Sequence, residues 1–540
     1  MACRAGGAAL LLALAACSDD GTAASGTQGS SDAGVMTSGS GSQTDGTTAT
    51  TTAGTTTSTT QADSSSDGGT LKLDLGPLPD VGEMPVEPIP TTCAAAASGA
   101  TSVGCEFFAV DLDQLDGFDD LQFAIAVSNV QTDVVANVTI EQRVGGAWTT
   151  VAGPMAIASL DESTFLLPDL HQEGSGVLVG GSYRIRADVP VVAYQFNPLN
   201  IEPDSASSDA SLLLPVSSWD YINHVVGWEP LAQNGHGAYL TVVAAVDGTV
   251  VDITPTIATQ AGAMVPAGIP GVAMQVSLDA GDVVELNVAT GMQTLSGTRV
   301  ESDAEHPVAV FSGAECTFVL AYSCDHIEEQ LTGVRQWGLD FVAARVPPRV
   351  AAAPETSVWQ IYASEDGTTV DFEGSAATTG LPAAPVSLDA GELVTLEVGG
   401  DASEPGDFAV HADKPIAVVN YMTGSSLAGS QGDPVMVQLP PVEQYLPRYV
   451  VLVPTSWTTD VITLMREPGA PVLLDGVAVP GAAFVTVGAH EVARVPAADG
   501  VHVLEGDAAF GVLVAGYTTV DSYAYPGGLG TGVINPTPEG

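Results

Sequence analysis

One sequence pattern occurs twice in this chain and constrains its fold more than any other feature. Residues 183–196 read YRIRADVPVVAYQF, and residues 408–421 read FAVHADKPIAVVNY. In both copies alternating side chains precede Ala-Asp-x-Pro, and an apolar run follows. Alternation places one set of side chains on a single sheet face, and an apolar run of this length is typical of a buried strand. The repeated motif therefore indicates a repeated β unit rather than a catalytic site.

Further elements recur in the same order around this motif. Hairpin signals centred on Asp-Gly occur at 239–256 and 359–374, and Asp-Gly is favoured in tight hairpin turns. VSLDAGDVVELNV at 276–288 is echoed by VSLDAGELVTLEV at 386–398. Two less regular copies of the closing motif lie at 298–313 and 502–517. The sequence thus predicts an all-β head of about four tandem units, each a small β-sandwich or open barrel, with a propeller as the alternative.

The expected units have approximate boundaries set by these repeats. They are residues 91–200, which hold the first cysteine pair, then 201–345, 346–440 and a degenerate fourth unit, 441–540. Within the motif we expect Asp188 and Asp413 to hydrogen-bond the turn backbone. Pro190 and Pro415 are expected to fix φ where the chain reverses.

The N-terminus carries the features of an export signal. Residues 1–16 contain one base, Arg4, and a short apolar stretch that fits a signal-peptide core and is too short to cross a bilayer. Leu-Ala-Ala before Cys17 resembles a bacterial lipobox, which predicts lipidation of Cys17. An ordinary signal peptide with an incidental cysteine is the alternative. We expect an exported bacterial lipoprotein at the outer membrane or cell surface, touching the membrane through its lipid anchor only.

A low-complexity segment follows the predicted anchor. Residues 17–90 are rich in Ser, Thr and Gly, and later in Pro, with few large apolar side chains. Such a segment buries too little apolar surface to offset its chain entropy. We therefore expect a disordered, lipid-anchored linker, or stalk, before the folded head.

Four cysteines remain after the two in the leader, and they form two close pairs. In an exported chain this arrangement predicts the disulfides Cys93–Cys105 and Cys316–Cys324. Each would close a short loop and contribute about 2.5–3 kcal/mol in the chain-entropy model.

The charge balance excludes one class of partner. The chain has 64 acidic and 13 basic residues and a net charge of −51. Nucleic-acid binding depends on Lys and Arg, so no nucleic-acid partner is expected. Only 14% of residues are charged and 45% are hydrophobic, so most of the chain can form a core.

The densest polar cluster is CTFVLAYSCDHIEEQL at 316–331. Its two cysteines, His326 and Glu328 have ligand chemistry for a metal, but structural zinc sites use tighter cysteine spacings. We favour a disulfide-closed loop followed by a short helix, with Asp325 as its N-cap and Glu328 in the capping-box position.

Other motifs fall short of known sites. DLDQLDGFDD at 111–120 lacks an oxygen ligand at Leu115 and is interpreted as a solvated turn, with a Ca²⁺ site as the alternative. HEVAR at 490–494 lacks the second histidine of a zincin. Gly424-Ser425-Ser426-Leu427-Ala428 lacks the second glycine of a nucleophile elbow. We predict no catalytic, cofactor-binding or metal-binding residue, no cofactor, and no enzyme activity.

The irregular segments resemble a known family. They are YQFNPLN (194–200), SSDASLLLPVSSW (207–219), residues 316–331, GDPVMVQLPPVEQY (432–445) and SYAYPGG (522–528). Over about residues 180–530 the chain resembles the N-terminal domain of the IgGFc-binding protein family. Animal members are mucus-associated, and bacterial surface proteins carry the same domain. The resemblance implies an extracellular protein- or glycan-binding or adhesion module, while Fc binding itself does not carry over.

Two further functions remain open at this stage. One is a structural envelope component that self-associates through strand edges. The other is an enzyme acting on surface polysaccharide, which needs paired carboxylates in one cleft. Four aromatic residues near the family segments fit either a contact surface or the core: Trp219, Tyr221, Trp228 and Trp337.

Overall fold

The computed structural model describes residues 89–115, 117–199, 207–230 and 237–538, apart from the side chains of Tyr322 and Ser323. The predicted signal peptide, Cys17 and nearly all of the predicted linker lie outside the described residues. Within them the chain is nearly all β, as predicted. The helical segments are α1 (Cys93–Ser98) and the 3-10 helices η1 (Val216–Ser218), η2 (Val334–Gln336), η3 (Ser425–Ala428), η4 (Val442–Gln444) and η5 (Gly481–Ala483).

The described part of the chain contains no helix that is both long and apolar enough to cross a membrane.

The first unit is one curled, seven-stranded sheet. Its strands are β1 (Gly104–Ala109), β2 (Ala124–Asn129), β3 (Ala136–Val144), β4 (Ala147–Ile157), β5 (Glu162–Leu166), β7 (Tyr183–Asn197) and β8 (Asp209–Leu213), while β6 (Gly176–Leu178) joins the next unit. The order along the sheet is β4-β3-β7-β2-β5, and β1 and β8 also pair with β7.

The second unit consists of two sheets. Their strands are β9 (Ile222–His224), β10 (Ala238–Ala244), β11 (Thr249–Thr254), β12 (Met274–Leu278), β13 (Val283–Asn287), β14 (Arg299–Glu301), β15 (Val308–Val319) and β16 (Ala321–Leu331). One sheet has the order β16-β15-β10-β13-β6, and the other has the order β12-β11-β14-β9.

The third and fourth units return to the single curled sheet. The third has β17 (Gly338–Ala343), β18 (Ser357–Ala363), β19 (Thr368–Gly374), β20 (Val386–Leu388), β21 (Leu393–Val398), β22 (Phe408–Tyr421) and β23 (Met436–Gln438). The fourth has β24 (Leu446–Val453), β25 (Thr459–Arg466), β26 (Val472–Leu474), β27 (Val477–Ala478), β28 (Val485–Val487), β29 (His490–Pro496), β30 (Gly500–Thr518) and β31 (Asp521–Pro526). In both, nearly every strand pairs with its neighbours around one long strand, β22 or β30.

The repeated Ala-Asp-x-Pro motif lies inside these long strands, so the chain does not reverse at the proline as expected. Strands β7 and β22 run for 15 and 14 residues without a break, and their two halves pair with different neighbours. In the second unit the corresponding copy of the motif, residues 298–313, is not one continuous strand. It is divided between β14 and β15, which belong to two different sheets. The motif thus marks the point where one strand passes between the two halves of a curled sheet.

The expected role of the motif aspartates also needs correction. Asp188 accepts hydrogen bonds from the backbone N–H of Asn137 (2.8 Å) and from its side-chain amide (2.7 Å). Asp413 accepts from the backbone N–H of Thr369 at 2.7 Å. Both carboxylates therefore bond to a neighbouring strand rather than to their own backbone, because the motif is extended and forms no turn.

The sheets extend beyond some of the expected unit boundaries. Strand β8 completes the first sheet beyond residue 200, and β17 begins the third before residue 346. The reason is that each unit ends with a strand from an irregular segment, which the repeats alone do not identify.

Buried apolar side chains form three clusters that connect the units. One cluster contains residues of the first, second and fourth units, and the ring of Tyr194 lies 4.7 Å from that of Tyr525 across it. The segment after β31 also bonds to the start of the first unit. The backbone N–H of Ser102 donates to the Leu529 carbonyl (2.9 Å), and that of Thr531 donates to the Ala100 carbonyl (2.7 Å). Residues 89–538 thus form a closed ring of four units.

Candidate functional site

The last strands of the four units meet at the centre of the head. Strand β8 contacts β16 and β31, and β23 contacts the same two strands, so β8, β16, β23 and β31 form a closed strand ring. These strands come from the irregular segments at 207–219, 316–331, 432–445 and 522–528. The segments that carry the family resemblance are therefore the segments that join the units.

Side-chain carboxylates bond the strand ring together. The Asp209 carboxylate accepts from the backbone N–H of Glu328 and of Met436, each at 3.1 Å. Glu329 accepts from the N–H of Gln438 at 3.2 Å. On the other side, Asp521 accepts from the N–H of Ser208 at 3.2 Å. Each carboxylate reaches a backbone donor of another unit, so the acids hold the four units in register.

Two of these acids, Asp209 and Glu329, and the neighbouring Glu328 form no ion pair with a lysine or arginine among the described residues. Asp209 and Glu328 are fully buried, and Glu328 accepts from the Gln195 amide (2.6 Å) and the Ser211 hydroxyl (3.1 Å). Burial raises the pKa of Glu328 to about 8. Burial, followed by the nearby Glu328, raises the pKa of Asp209, and burial raises that of Glu329. Neutral, enclosed acids of this kind suit a structural role better than contact with a ligand.

The cysteine cluster folds differently from expectation after its disulfide. Disulfides join Cys93 to Cys105 and Cys316 to Cys324. The expected short helix with Asp325 as N-cap is wrong: residues 321–331 form strand β16, paired with β15. Leu320 lies at the exposed tip of this hairpin. Both cysteines are bonded to each other, and Glu328 lies in the strand ring, so this segment is not a zinc site.

The remaining motifs also have structural roles. Asp111 and Asp113 are buried and accept the backbone N–H of Leu170 (2.9 Å) and Gly174 (3.0 Å), so the expected solvated turn is wrong for residues 111–114, whereas residues 117–120 form a partly exposed turn. HEVAR lies on strand β29. In the Gly424–Ala428 segment, Ser425 begins the short 3-10 helix η3, and Ser426, at the nucleophile position of the motif, is its second residue.

Core packing accounts for the two tryptophans nearest the strand ring. The indole N–H of Trp219 donates to Leu214 (3.0 Å), and that of Trp337 donates to Thr332 (3.1 Å). Both rings are almost completely buried. Trp228 is partly buried and packs on Tyr421 at 5.0 Å. These rings do not form an exposed aromatic surface.

Three further histidines, His171, His224 and His236, are scattered along the sequence. Burial lowers the pKa of His224 to about 4, and the ring contacts the Tyr362 hydroxyl at 3.2 Å. His171 pairs with Asp169 at 2.7 Å. His236 lies outside the described residues.

A solvent-facing groove lies between the third and fourth units. It has a volume of about 440 Å³ and is lined by Asp340, Phe341, Asp371, Phe372, Glu373, Ala409, Val410, His411, Val442, Ala489 and His490. His411 pairs with Asp340 at 2.7 Å, and both side chains are more than half exposed. The groove presents the exposed side chains of Asp340, Asp371, Glu373 and His411 to solvent, while Phe372 is partly buried and Phe341 is buried. Its residues come from five separate segments, so no local motif identified it.

Comparison with known proteins identifies a family whose match includes three strands of the strand ring, β8, β16 and β23. Residues 209–516 match the family model described as IgGFc binding protein. The human IgGFc-binding protein is 27% identical over 356 residues, which is 64% of this chain and 6% of that protein. The chain therefore spans only a small part of the length of this curated relative. Since the family model covers more than half of the sequence, the chain belongs to the IgGFc-binding protein family.

Proposed function

We propose that this chain is an exported, lipid-anchored binding module whose four-unit head recognises an extracellular protein or glycan. The family match carries this proposal, because it runs from the last strand of the first unit into the long strand of the fourth. The human relative is named for binding IgG Fc. For this chain we propose the broader class, an extracellular protein or glycan, as the partner.

The groove between the third and fourth units is the recognition site that we propose. Its carboxylates Asp371 and Glu373 are exposed, and Phe372 beside them is partly buried. Carboxylates bind basic side chains and sugar hydroxyls, and aromatic faces add apolar contact. The net charge of −51 favours the approach of cationic partners and opposes polyanions.

A polysaccharide-cleaving enzyme fits this groove less well. Glycoside hydrolysis needs two carboxyl groups at the scissile bond, and one of them must stay protonated in an apolar environment. The side chain of Asp340 is 51% exposed and pairs with His411. Asp371 and Glu373 are also exposed. The groove thus lacks a dry carboxylic acid among its described residues, and we propose binding rather than catalysis.

The test of recognition is binding of purified probes to the immobilised full chain. The probes are a glycan array and a panel of purified extracellular proteins from acidic to basic, with IgG Fc included. We expect saturable binding of at least one probe and a loss of about tenfold or more in affinity for the double variant Asp371→Asn/Glu373→Gln. Asp252→Asn is the matched control, because Asp252 is exposed on β11 at the position equivalent to Asp371 on β19.

Other outcomes would reject parts of this proposal. Equal binding by the double variant and the parent would move the site away from the groove. If no probe binds and the purified chain forms regular oligomers, the self-associating envelope component is the better description.

The anchor has its own measurement, because Cys17 lies outside the described residues. We expect the parent chain to sediment with membranes and to incorporate labelled fatty acid, and the Cys17→Ser variant to do neither. Membrane sedimentation of both proteins to the same extent would contradict the anchor and leave the binding proposal untouched.

A further inference from the structure

We propose that a divalent cation of the calcium type binds in a buried oxygen cluster between the first and second units, formed by Asp113, Glu285, Asn287 and Glu315. This inference does not depend on the proposed function. The sequence analysis left a Ca²⁺ site at 111–120 open as an alternative, and Asp113 belongs to that stretch; Glu285, Asn287 and Glu315 were not singled out.

Three separate segments bring these four side chains together. Glu285 and Asn287 are two residues apart on β13 and therefore project to the same face of the sheet. The Asn287 amide donates to Glu315 on β15 at 3.1 Å and approaches Asp113 at 3.4 Å. The carboxyl group of Asp113 also lies beside that of Glu285. The cluster thus joins the loop after β1 to two strands of the second unit.

The buried oxygens of β13 supply the observation that points to a ligand. Glu285 is 1% exposed and Asn287 is 2% exposed. Glu285 Oε2 accepts from the Thr241 hydroxyl at 3.2 Å, but Glu285 Oε1 and Asn287 Oδ1 have no hydrogen-bond donor among the described residues. A buried oxygen without a hydrogen-bond donor destabilises the folded state. Coordination of a cation by both oxygens would remove this destabilisation.

Backbone donors already hold the other two acids in place. The N–H of Gly174 donates to Asp113 at 3.0 Å, and the N–H of Gly237 donates to Glu315 at 2.9 Å. The titratable groups that face the cluster from neighbouring strands are Tyr239 and His326. Among the described residues, the ion pairs formed by lysine and arginine side chains do not include Asp113 or Glu285. Asp113 and Glu315 therefore have fixed positions beside the two β13 side chains.

An acidic entrance lies next to the buried cluster. Ligand atoms of Asp119, His171 and Glu173 lie within 4.8 Å of one another. The carboxylates of Asp119 and Glu173 are close enough to act electrostatically on both Asp113 and Glu315. The side chain of Glu173 is 71% exposed. This arrangement gives a cation a negatively charged approach from solvent to the buried oxygens.

The donor set favours calcium over softer metals. Carboxylate and amide oxygens are hard ligands that suit Ca²⁺, whereas zinc prefers sulfur and nitrogen. The three carboxylates come from separate segments, which accommodates the irregular geometry that Ca²⁺ accepts. Binding there would tie the first unit to the second.

The experiment measures Ca²⁺ binding to the full chain after removal of metal with EGTA. Isothermal titration of CaCl₂ should show one equivalent of Ca²⁺ bound more tightly than the remainder. Saturation should raise Tm by about 2–4 °C. Glu285→Gln should weaken that equivalent about tenfold or more. It should not lower the Tm of the Ca²⁺-free chain, because an amide has nearly the same size and can still accept the hydrogen bond from the Thr241 hydroxyl.

Controls separate this site from the acidic surface. Asp252→Asn changes an exposed acid on β11. It should leave the affinity and stoichiometry of the tightly bound Ca²⁺ unchanged. If Glu285→Gln fails to fold, Asp113→Asn replaces it, and the stoichiometry of the parent remains a direct measurement. The proposal is overturned if the parent binds no stoichiometric Ca²⁺, or if the folded variant keeps the affinity of the parent.

Discussion

At the scale of single residues, Glu328 shows how the strand ring depends on neutral carboxyl groups. Its pKa is raised from 4.5 to about 8, chiefly by burial. Between these values the folded state holds a proton that the unfolded state releases. The free energy of unfolding should therefore be highest below about pH 4.5 and should fall as the pH rises towards 8. Asp111, Asp209 and Glu329 are also buried acids with raised pKa values and should act in the same direction.

The variant Glu328→Gln tests this assignment. An amide stays neutral at every pH and can still accept the hydrogen bonds from Gln195 and Ser211. We expect urea unfolding of the variant to show a smaller pH slope, and at pH 8 a free energy of unfolding about 1–2 kcal/mol above that of the parent. Glu373→Gln, on the exposed surface, is the control. An unchanged slope in the first variant would show that Glu328 is charged in the folded state.

Residue-level sequence reasoning found the cysteine pairs but missed the buried acids. Cysteine spacing reports a local constraint, and the structure contains both expected disulfides. Burial of Asp209 and Glu328 depends on contacts among four units, which no local window contains. One signal was available: Glu285 interrupts the apolar run Val283-Val284-Glu285-Leu286, where a solvated acid would not be expected. An acidic residue inside a buried strand indicates that its carboxyl group interacts with another polar group or a bound ion. The sequence alone does not identify that group.

At the scale of elements, the Ala-Asp-x-Pro motif joins the two halves of a curled sheet. The Asp413 carboxylate accepts the N–H of Thr369, the second residue of β19, in the manner of a helix cap. By analogy with caps, Asp413→Ala should lower the free energy of unfolding by about 0.5–2 kcal/mol. Asp413→Asn keeps a carbonyl oxygen that can accept the hydrogen bond, so it should lower the free energy of unfolding by less than Asp413→Ala does. Chemical denaturation of the full chain measures both.

A control and a contrary outcome sharpen this test. Asp252 is also an exposed strand acid, but it accepts a bond from the Gln275 side chain (3.2 Å). Asp252→Ala should therefore have a smaller effect than Asp413→Ala. If both alanine variants lower the free energy of unfolding equally, the hydrogen bond from Thr369 to Asp413 adds no specific stability. The repetition of the motif aspartate would then need another explanation.

Strand periodicity predicted the type of most elements, and its failures have a physical cause. The Asp-Gly hairpins and the all-β class follow from local alternation. Residues 325–331 carry capping-box spacing, yet they form a strand because β15 pairs with them along its length. The proline motif was interpreted as a reversal because Pro and Asp favour turns in isolation. In the sheet, pairing on both sides keeps the strand extended.

At the scale of the whole molecule, the head depends on closure between its first and fourth units. Thr101 pairs with Gly530, and the backbone N–H of Leu529 donates to the Ser102 hydroxyl at 3.1 Å. The Ser218 hydroxyl also contacts Thr531 at 2.8 Å. A short C-terminal segment therefore bonds to residues near both ends of the first unit.

Truncation after Gly528 tests whether closure stabilises the ring. It removes the backbone bonds to residues 100–102 and leaves every strand of the fourth unit intact. We expect Tm in calorimetry to fall by several degrees, because each lost hydrogen bond contributes about 0.5–1.5 kcal/mol. The first unit should also become more sensitive to limited proteolysis. Truncation after Asn535 is the matched control, because it retains these bonds and those from residues 534 and 535 to Arg335. If both truncations have the same Tm, the buried strand ring holds the four units together without the contact between the chain ends.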